Sequence, residues 1–290
     1  MSWRTVVISK RCKLDYGMNY MIVRGEDTKR VLLDEIAILI IEDNSVSMTA
    51  YLMTELINKK IKVIFCDSKR NPHSELVPYY GAHNDSLKIK SQFLWSEDIK
   101  LDVWTRIVRE KISNQAKVLR NNECLDESKL LFNYVNELQD GDISNREGHA
   151  AKVYFNAIFG MDFTRSDEVN AINSALDYGY SIILSAINRE VVSNGYLTQL
   201  GLGHDNQFNH FNLSCDLMEP YRVLVDMEVL KLGVTEFGVE QKRTLVNVVN
   251  SSVVIRDTEQ TVLNAIKIYV KSVFDAINEG NLELIKFFEL

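Results

Sequence analysis

The 290-residue chain carries 33 basic and 40 acidic side chains, a net charge of −7, and 46% hydrophobic residues. That is enough apolar material to bury a core as one large domain or two ordinary ones, and no stretch approaches the roughly 18 uninterrupted apolar residues of a membrane span. The start, Met1-Ser2-Trp3-Arg4-Thr5, lacks the apolar run of a signal peptide, so the expected location is cytoplasmic, with no membrane partner. Cys12, Cys66, Cys124 and Cys215 are scattered without a CxxC pair, which argues against a zinc knuckle or a disulfide framework and predicts reduced thiols.

Residues 1–80 read as short β segments. The runs 5–8, 19–23, 30–33, 37–41 and 62–66 are β-branched or alternating, with Gly17, Gly25 and Asp43-Asn44 as punctuation. One helix interrupts them after Ser47, with Lys59-Lys60 at its C-terminal end, where cations suit the dipole. The joint falls around 68–84, which holds Pro72, Pro78 and Gly81. From residue 98 the apolar spacing becomes helical: Leu101, Trp104, Ile107 and Val108 begin one helix, and Leu130, Leu131, Tyr134, Val135 and Leu138 mark the next. Further helices are expected over 150–159, 167–192, 214–232, 236–249 and 258–279. The fold class is α+β: an N-terminal β-rich domain (1–80), a linker (81–97) and a larger all-α domain (98–290).

The acidic balance argues at first against nucleic acid, because a DNA-binding protein must neutralise phosphates. Its distribution weakens the objection: residues 1–90 carry 14 basic and 11 acidic groups, the remainder 19 and 29. Three segments of that remainder spend polar groups where a helical protein wants apolar ones. Ser144-Asn145-Arg146-Glu147 is an S-x-x-E pattern, so Glu147 either closes a capping box or serves a site, and Gly148 is a poor residue for a first helical turn. Gly201-Leu202-Gly203-His204 opens a loop rich in amides, in which Phe208 and Phe211 are expected to anchor on the core. Asp216 and Glu219 share one helix face, continued by Arg222 and Asp226, with Leu217, Tyr221 and Leu224 opposite; Pro220 places the carboxylates at a helix entrance. Carboxylates and an imidazole are what a divalent cation in phosphodiester chemistry uses, but an exposed salt-bridged face would look similar. There is no G-x-S-x-G elbow, phosphate loop or H-E-x-x-H helix.

Order and spacing together carry a resemblance. Arg146-Glu147-Gly148, Asp177-Tyr178-Gly179-Tyr180, Gly203-His204 and the run from Asn209 through Asp216-Leu217-Met218-Glu219-Pro220-Tyr221-Arg222 resemble the CRISPR-associated integrase family of the spacer-acquisition machinery. The likeness extends over 34–42, 62–67 and 72–78, and the Met218-Glu219-Pro220-Tyr221 form looks most like members from type II systems. The resemblance implies a homodimer that assembles with a second, small CRISPR-associated adaptation protein into a heterohexamer-like complex, with further type II adaptation proteins as additional partners. It implies metal ligands and catalytic residues at Glu147, His204 and Glu219, a supporting Asp216, and Mg²⁺ or Mn²⁺ as cofactor. The implied reaction is attack by the 3′-hydroxyl of a short duplex DNA fragment on a phosphodiester of the CRISPR repeat. Val223 departs from the family pattern, where many relatives have proline. Charge and proximity in sequence add Arg146, Lys152, Arg165 and Arg189 as candidate DNA contacts, and His149 has no assigned role. Two rival readings remain, a metal-dependent endonuclease that cuts branched or single-stranded DNA without joining, and a non-catalytic scaffold.

Overall fold

The computed structural model describes residues 4–79 and 81–290. Met1, Ser2 and Trp3, on which the signal-peptide reading rests, and Tyr80, the edge of the expected β domain, lie outside the described residues. In chain order the elements are β1 (Arg4–Ile8), β2 (Lys13–Gly17), β3 (Tyr20–Arg24), β4 (Thr28–Leu32), β5 (Ile36–Ile41), β6 (Ser47–Met48), α1 (Ala50–Asn58), β7 (Lys62–Cys66), β8 (Pro72–Leu76) and α2 (Asp85–Phe93). The helical part follows as α3 (Glu97–Asn121), α4 (Leu125–Glu137), α5 (Arg146–Phe159), α6 (Ala171–Ser193), α7 (Asn212–Met218), α8 (Arg222–Leu232) and α9 (Val239–Val246). It closes with β9 (Ser252–Ile255), β10 (Thr258–Thr261), α10 (Val262–Glu279) and β11 (Phe288–Glu289).

The strand β5 is Ile36-Ala37-Ile38-Leu39-Ile40-Ile41, buried throughout. An uninterrupted apolar strand belongs where both faces of a sheet are covered, and β5 runs parallel to β1 on one side and β7 on the other, with β8 antiparallel at the edge. Leu39, Ile41 and Val63 face Leu14, Met21, Leu52 and Leu56, from the mixed sheet β4-β3-β2-β6, in which only β6 runs parallel to its neighbour, and from helix α1. Ala37, Ile38, Ile40 and Ile64 join the helical core instead. Each buried Leu, Ile or Val among these contributes about 1.5–3 kcal/mol, and the central sheet thus belongs to both cores. The connecting segment 81–97 is largely helical, since α2 occupies it.

The C-terminal part is helical as expected, with one addition. Val253 and Ile255 are buried while Ser252 and Val254 are exposed, the alternation of a half-buried strand. Arg256 and Asp257 both take φ of 56°, a two-residue turn that folds β9 back on β10. The sequence reading starts a helix at Thr258; the chain instead completes β10 first, and the Thr261 side chain then caps α10. Strand β11 pairs with β9 from 33 or more residues away, a non-local contact that periodicity does not report. Among the described residues, no helix is long and apolar enough to cross a membrane.

Candidate metal centre

The longest helix, α3, sets the floor of the site. Trp104, Ile107, Val108, Lys111, Ile112 and Gln115 follow helical spacing and all are buried, so Lys111 stands on an apolar stripe. Its Nζ lies 2.5 Å from Glu147 Oε1 and also pairs with Glu219 Oε2. Burial works against the ammonium, yet the carboxylates of Glu219 and Glu147 outweigh it and raise the Lys111 pKa above its ordinary value.

The capping-box reading of Glu147 does not hold. Helix α5 starts after Asn145, which is left-handed at φ 53° and offers no side-chain cap. The Asp142 carboxylate reaches forward instead, accepting from Arg146 N at 2.7 Å and Glu147 N at 2.9 Å. Ser144 Oγ is buried without a hydrogen-bond partner among the described residues. With its helix start capped by another residue, the Glu147 side chain is directed to Lys111.

Pro220 breaks the expected single helix 214–232 in two. Glu219–Tyr221 is one 3-10 turn between α7 and α8, with proline in its first positions, where no N–H is required. The expectation of an exposed acid face is corrected: Asp216, Glu219 and Asp226 are all buried. Glu219 Oε1 accepts from Arg222 Nε at 2.9 Å. Burial would push the Glu219 carboxyl up, but Arg222 and Lys111 together hold it at about 2. The Arg222 guanidinium lies over the Tyr180 ring, 4.6 Å from its centroid, and the Tyr180 hydroxyl donates to Asp226 Oδ1. Burial pushes the Asp226 carboxyl up to about 6, against the Tyr180 hydrogen bond and the charges of Arg222 and Lys111.

Asp216 has no capacity left for a cation. Its Oδ2 accepts from Leu202 N at 2.5 Å and Gly203 N at 3.1 Å, and its Oδ1 accepts from His204 N at 3.0 Å and contacts His204 Nδ1 at 2.5 Å. The glycines make this wrap possible. A Cβ on Gly201 would stand 2.2 Å from His204 O, and one on Gly203 would stand 2.4 Å from the Trp104 ring. Held by Asp216 and edge-on to Trp104 at 5.4 Å, the His204 ring keeps Nε2 for other work. The Asp216 hydrogen bond, opposed by burial and aided by the charges of Asp216, Glu219 and Glu147, raises the His204 pKa. Elsewhere in this loop Asn212 Nδ2 donates to Gln199 O and Asn206 O, so the asparagines hold the backbone. Phe208 is 81% exposed and does not anchor the loop, contrary to expectation.

The structure thus brings Glu147 and Glu219 together through Lys111 and sets His204 within their electrostatic reach. As they lie, no three His, Cys, Asp or Glu side chains among the described residues form a ready metal-binding group, because the ammonium stands between the two glutamates. The donor set nevertheless fits a divalent cation in kind. Two carboxylates converge on one positive charge, and the buried Glu219 Oε2 has the Lys111 ammonium as its one partner among the described residues.

The four cations chosen for DNA are spread out. Arg146 pairs with Glu137 at 2.7 Å and lies over the Tyr134 ring, beside which the exposed His149 also sits. Arg165 pairs with Asp177 and donates to Asn173 Oδ1 at 2.5 Å, while the exposed Lys152 shares a surface hollow with it. Arg189 stands near Glu190, in the cleft between β7 and α6. Lys111 and Asp142 were missed by sequence reasoning. A lysine recurring in the 104–107–108–111–115 stripe was the available signal for the first.

Comparison with known proteins supplies the rest. The family model described as CRISPR associated protein Cas1 matches residues 5–241. The CRISPR-associated endonuclease Cas1 of Neisseria meningitidis serogroup C (strain 8013) is 36% identical over 233 residues, covering 80% of this chain and 76% of the relative. Among solved structures, a casposase bound to an integration product superposes with a TM-score of 0.78 at 18% identity, over 98% of this chain and 93% of that one. A Cas6-RT-Cas1–Cas2 complex gives 0.77 at 19%, over 99% of this chain and 36% of that one. The fold is shared with both, and the match over most of its length makes this chain a member of the Cas1 family.

Proposed function

We propose that the chain is a divalent-metal-dependent DNA integrase of CRISPR adaptation, joining the 3′-hydroxyl end of a short duplex to a phosphodiester of the CRISPR repeat. The observation that carries this reading is the approach of three separated motifs: Glu147 and Glu219 both pair with the buried Lys111, and the His204–Asp216 pair lies within their electrostatic reach. Glu147, His204 Nε2 and Glu219 would hold Mg²⁺ or Mn²⁺. When bound, the ion supplies positive charge to a phosphoryl oxygen and lowers the pKa of an attacking hydroxyl. Asp216 fixes the imidazole so that Nε2 presents its lone pair, and Arg222 fixes one Glu219 oxygen. In the reaction a bond forms between the 3′-oxygen and phosphorus, the bond to the repeat's own 3′-oxygen breaks, and the attacking hydroxyl's proton ends on that leaving oxygen or in solvent. The number of phosphodiester bonds is unchanged, so no high-energy cofactor is consumed.

We read the working form as a homodimer bound to a second, small adaptation protein and DNA; the solved complex that contains Cas1 and Cas2 chains supports this reading. The Neisseria relative is named an endonuclease, which favours hydrolysis as the second reading, with water replacing the 3′-hydroxyl at the same site. Short duplexes with 3′-hydroxyl ends, a supercoiled repeat-bearing plasmid and the partner protein separate the two. Covalently joined products that require the 3′-hydroxyl are expected. Nicking without joining would replace the integrase by the nuclease, and full activity of Glu147→Ala, His204→Ala and Glu219→Ala would remove the site altogether.

A further inference from the structure

Lys111 has no part in the reading above, on which this inference rests. The residue is 6% exposed, and a buried ammonium costs several kcal/mol unless it is well paired. The pairing here is double: Glu147 Oε1 at 2.5 Å from α5, and Glu219 Oε2 from the turn between α7 and α8. These are the oxygens a metal would need. Glu219 Oε1 is already spent on Arg222 at 2.9 Å, and Glu219 Oε2 has the Lys111 ammonium as its one partner among the described residues.

Two carboxylates directed at one point repel each other unless a cation lies between them. Before any metal is present, Lys111 supplies that cation. A divalent ion takes carboxylate oxygens at about 2.0–2.2 Å, inside the space Nζ fills, so the ammonium and the ion cannot hold the same two oxygens together. We infer that Lys111 is a resident counter-ion that keeps Glu147 and Glu219 facing one another in the metal-free protein and competes with the divalent cation for their oxygens. It is a positioning residue, and its charge sets how tightly the metal binds. Metal entry requires Nζ to withdraw, which places a mobile cation beside the metal and available to a phosphate.

The test is a Mn²⁺ titration of the full chain, read by the loss of the free-ion paramagnetic resonance signal, on wild type, Lys111→Met and Lys111→Gln. Both neutral variants are expected to bind Mn²⁺ about tenfold more tightly or better, to melt below wild type in chelator, and to gain more in Tm than wild type when Mn²⁺ is added. A purely structural lysine would not raise metal affinity on removal. Should Lys111→Met fail to fold, Lys111→Gln, which keeps N–H donors at this position without the charge, carries the comparison. Wild type binding Mn²⁺ with the variants no tighter overturns the inference alone. Absence of Mn²⁺ binding in all three proteins overturns the metal site and the inference together.

Discussion

Strand β5 and the Lys111 cluster are both buried, and they are stabilised by opposite means. Around β5 the side chains are aliphatic, so the interaction is non-directional and insensitive to pH. Around Lys111, by contrast, Glu147, Glu219, Arg222, Tyr180 and Asp226 form a charged chain from α3 through α5 and α8 to α6, in which each group is tolerable only because of its neighbours. The first region can lose a methylene and survive. Loss of a single partner in the second leaves a buried charge unpaired. The difference separates a region held by packing from one held by paired charge, to which we assign the chemistry.

The largest loss is expected from Glu219→Ala, which strands the Arg222 cation and leaves Lys111 with Glu147 alone. Urea denaturation should show a loss of about 3–5 kcal/mol, with joining undetectable. Leu39→Ala should cost about 2–5 kcal/mol through its cavity, by the same amount at pH 4.5 and pH 8. Asp226 sharpens the contrast in pH. Its folded carboxyl is raised from 3.8 to about 6, so the folded state holds the proton more tightly; the associated stability is present below pH ~4 and lost as pH rises through 6. Relative to Asp226→Asn, wild type should therefore lose about 3 kcal/mol between pH 4 and pH 7, read from urea midpoints. Gly203→Ala drives a methyl into the Trp104 ring and should cost about 1–3 kcal/mol while displacing His204, visible as a shift of its imidazole resonances. Asp142→Ala removes only the cap of α5, for about 1 kcal/mol in thermal melts.

The apolar region was legible in the sequence because its signal is local: six aliphatic residues in a row, or a 3.6-residue stripe, report themselves. The small sheet β10-β9-β11 was not, since the β11 contribution comes from the chain's far end and Thr258–Thr261 blends into the periodicity of α10. At the site, the bare residues left Glu147, His204 and Asp216/Glu219 open to bland readings, and it was the family resemblance that grouped them. The S-x-x-E pattern misled because Asp142 takes the Glu147 amide that a Ser144 cap would serve, together with the Arg146 amide beside it. Lys111 was passed over because a lysine in a helix is ordinarily a surface residue, and its carboxylate partners lie 36 and 108 positions away. Phe208 failed for a related reason: an aromatic residue in a loop is not bound to turn inward, and this one is exposed.

The most direct measurement of the central claim is a crystal of the protein soaked in Mn²⁺ and recorded at a wavelength where manganese scatters anomalously. One strong anomalous peak is predicted in contact with Glu147, His204 Nε2 and Glu219, with the Lys111 ammonium withdrawn from between the carboxylates. A peak elsewhere, or Lys111 still bridging Glu147 and Glu219 at saturating Mn²⁺, would contradict the account.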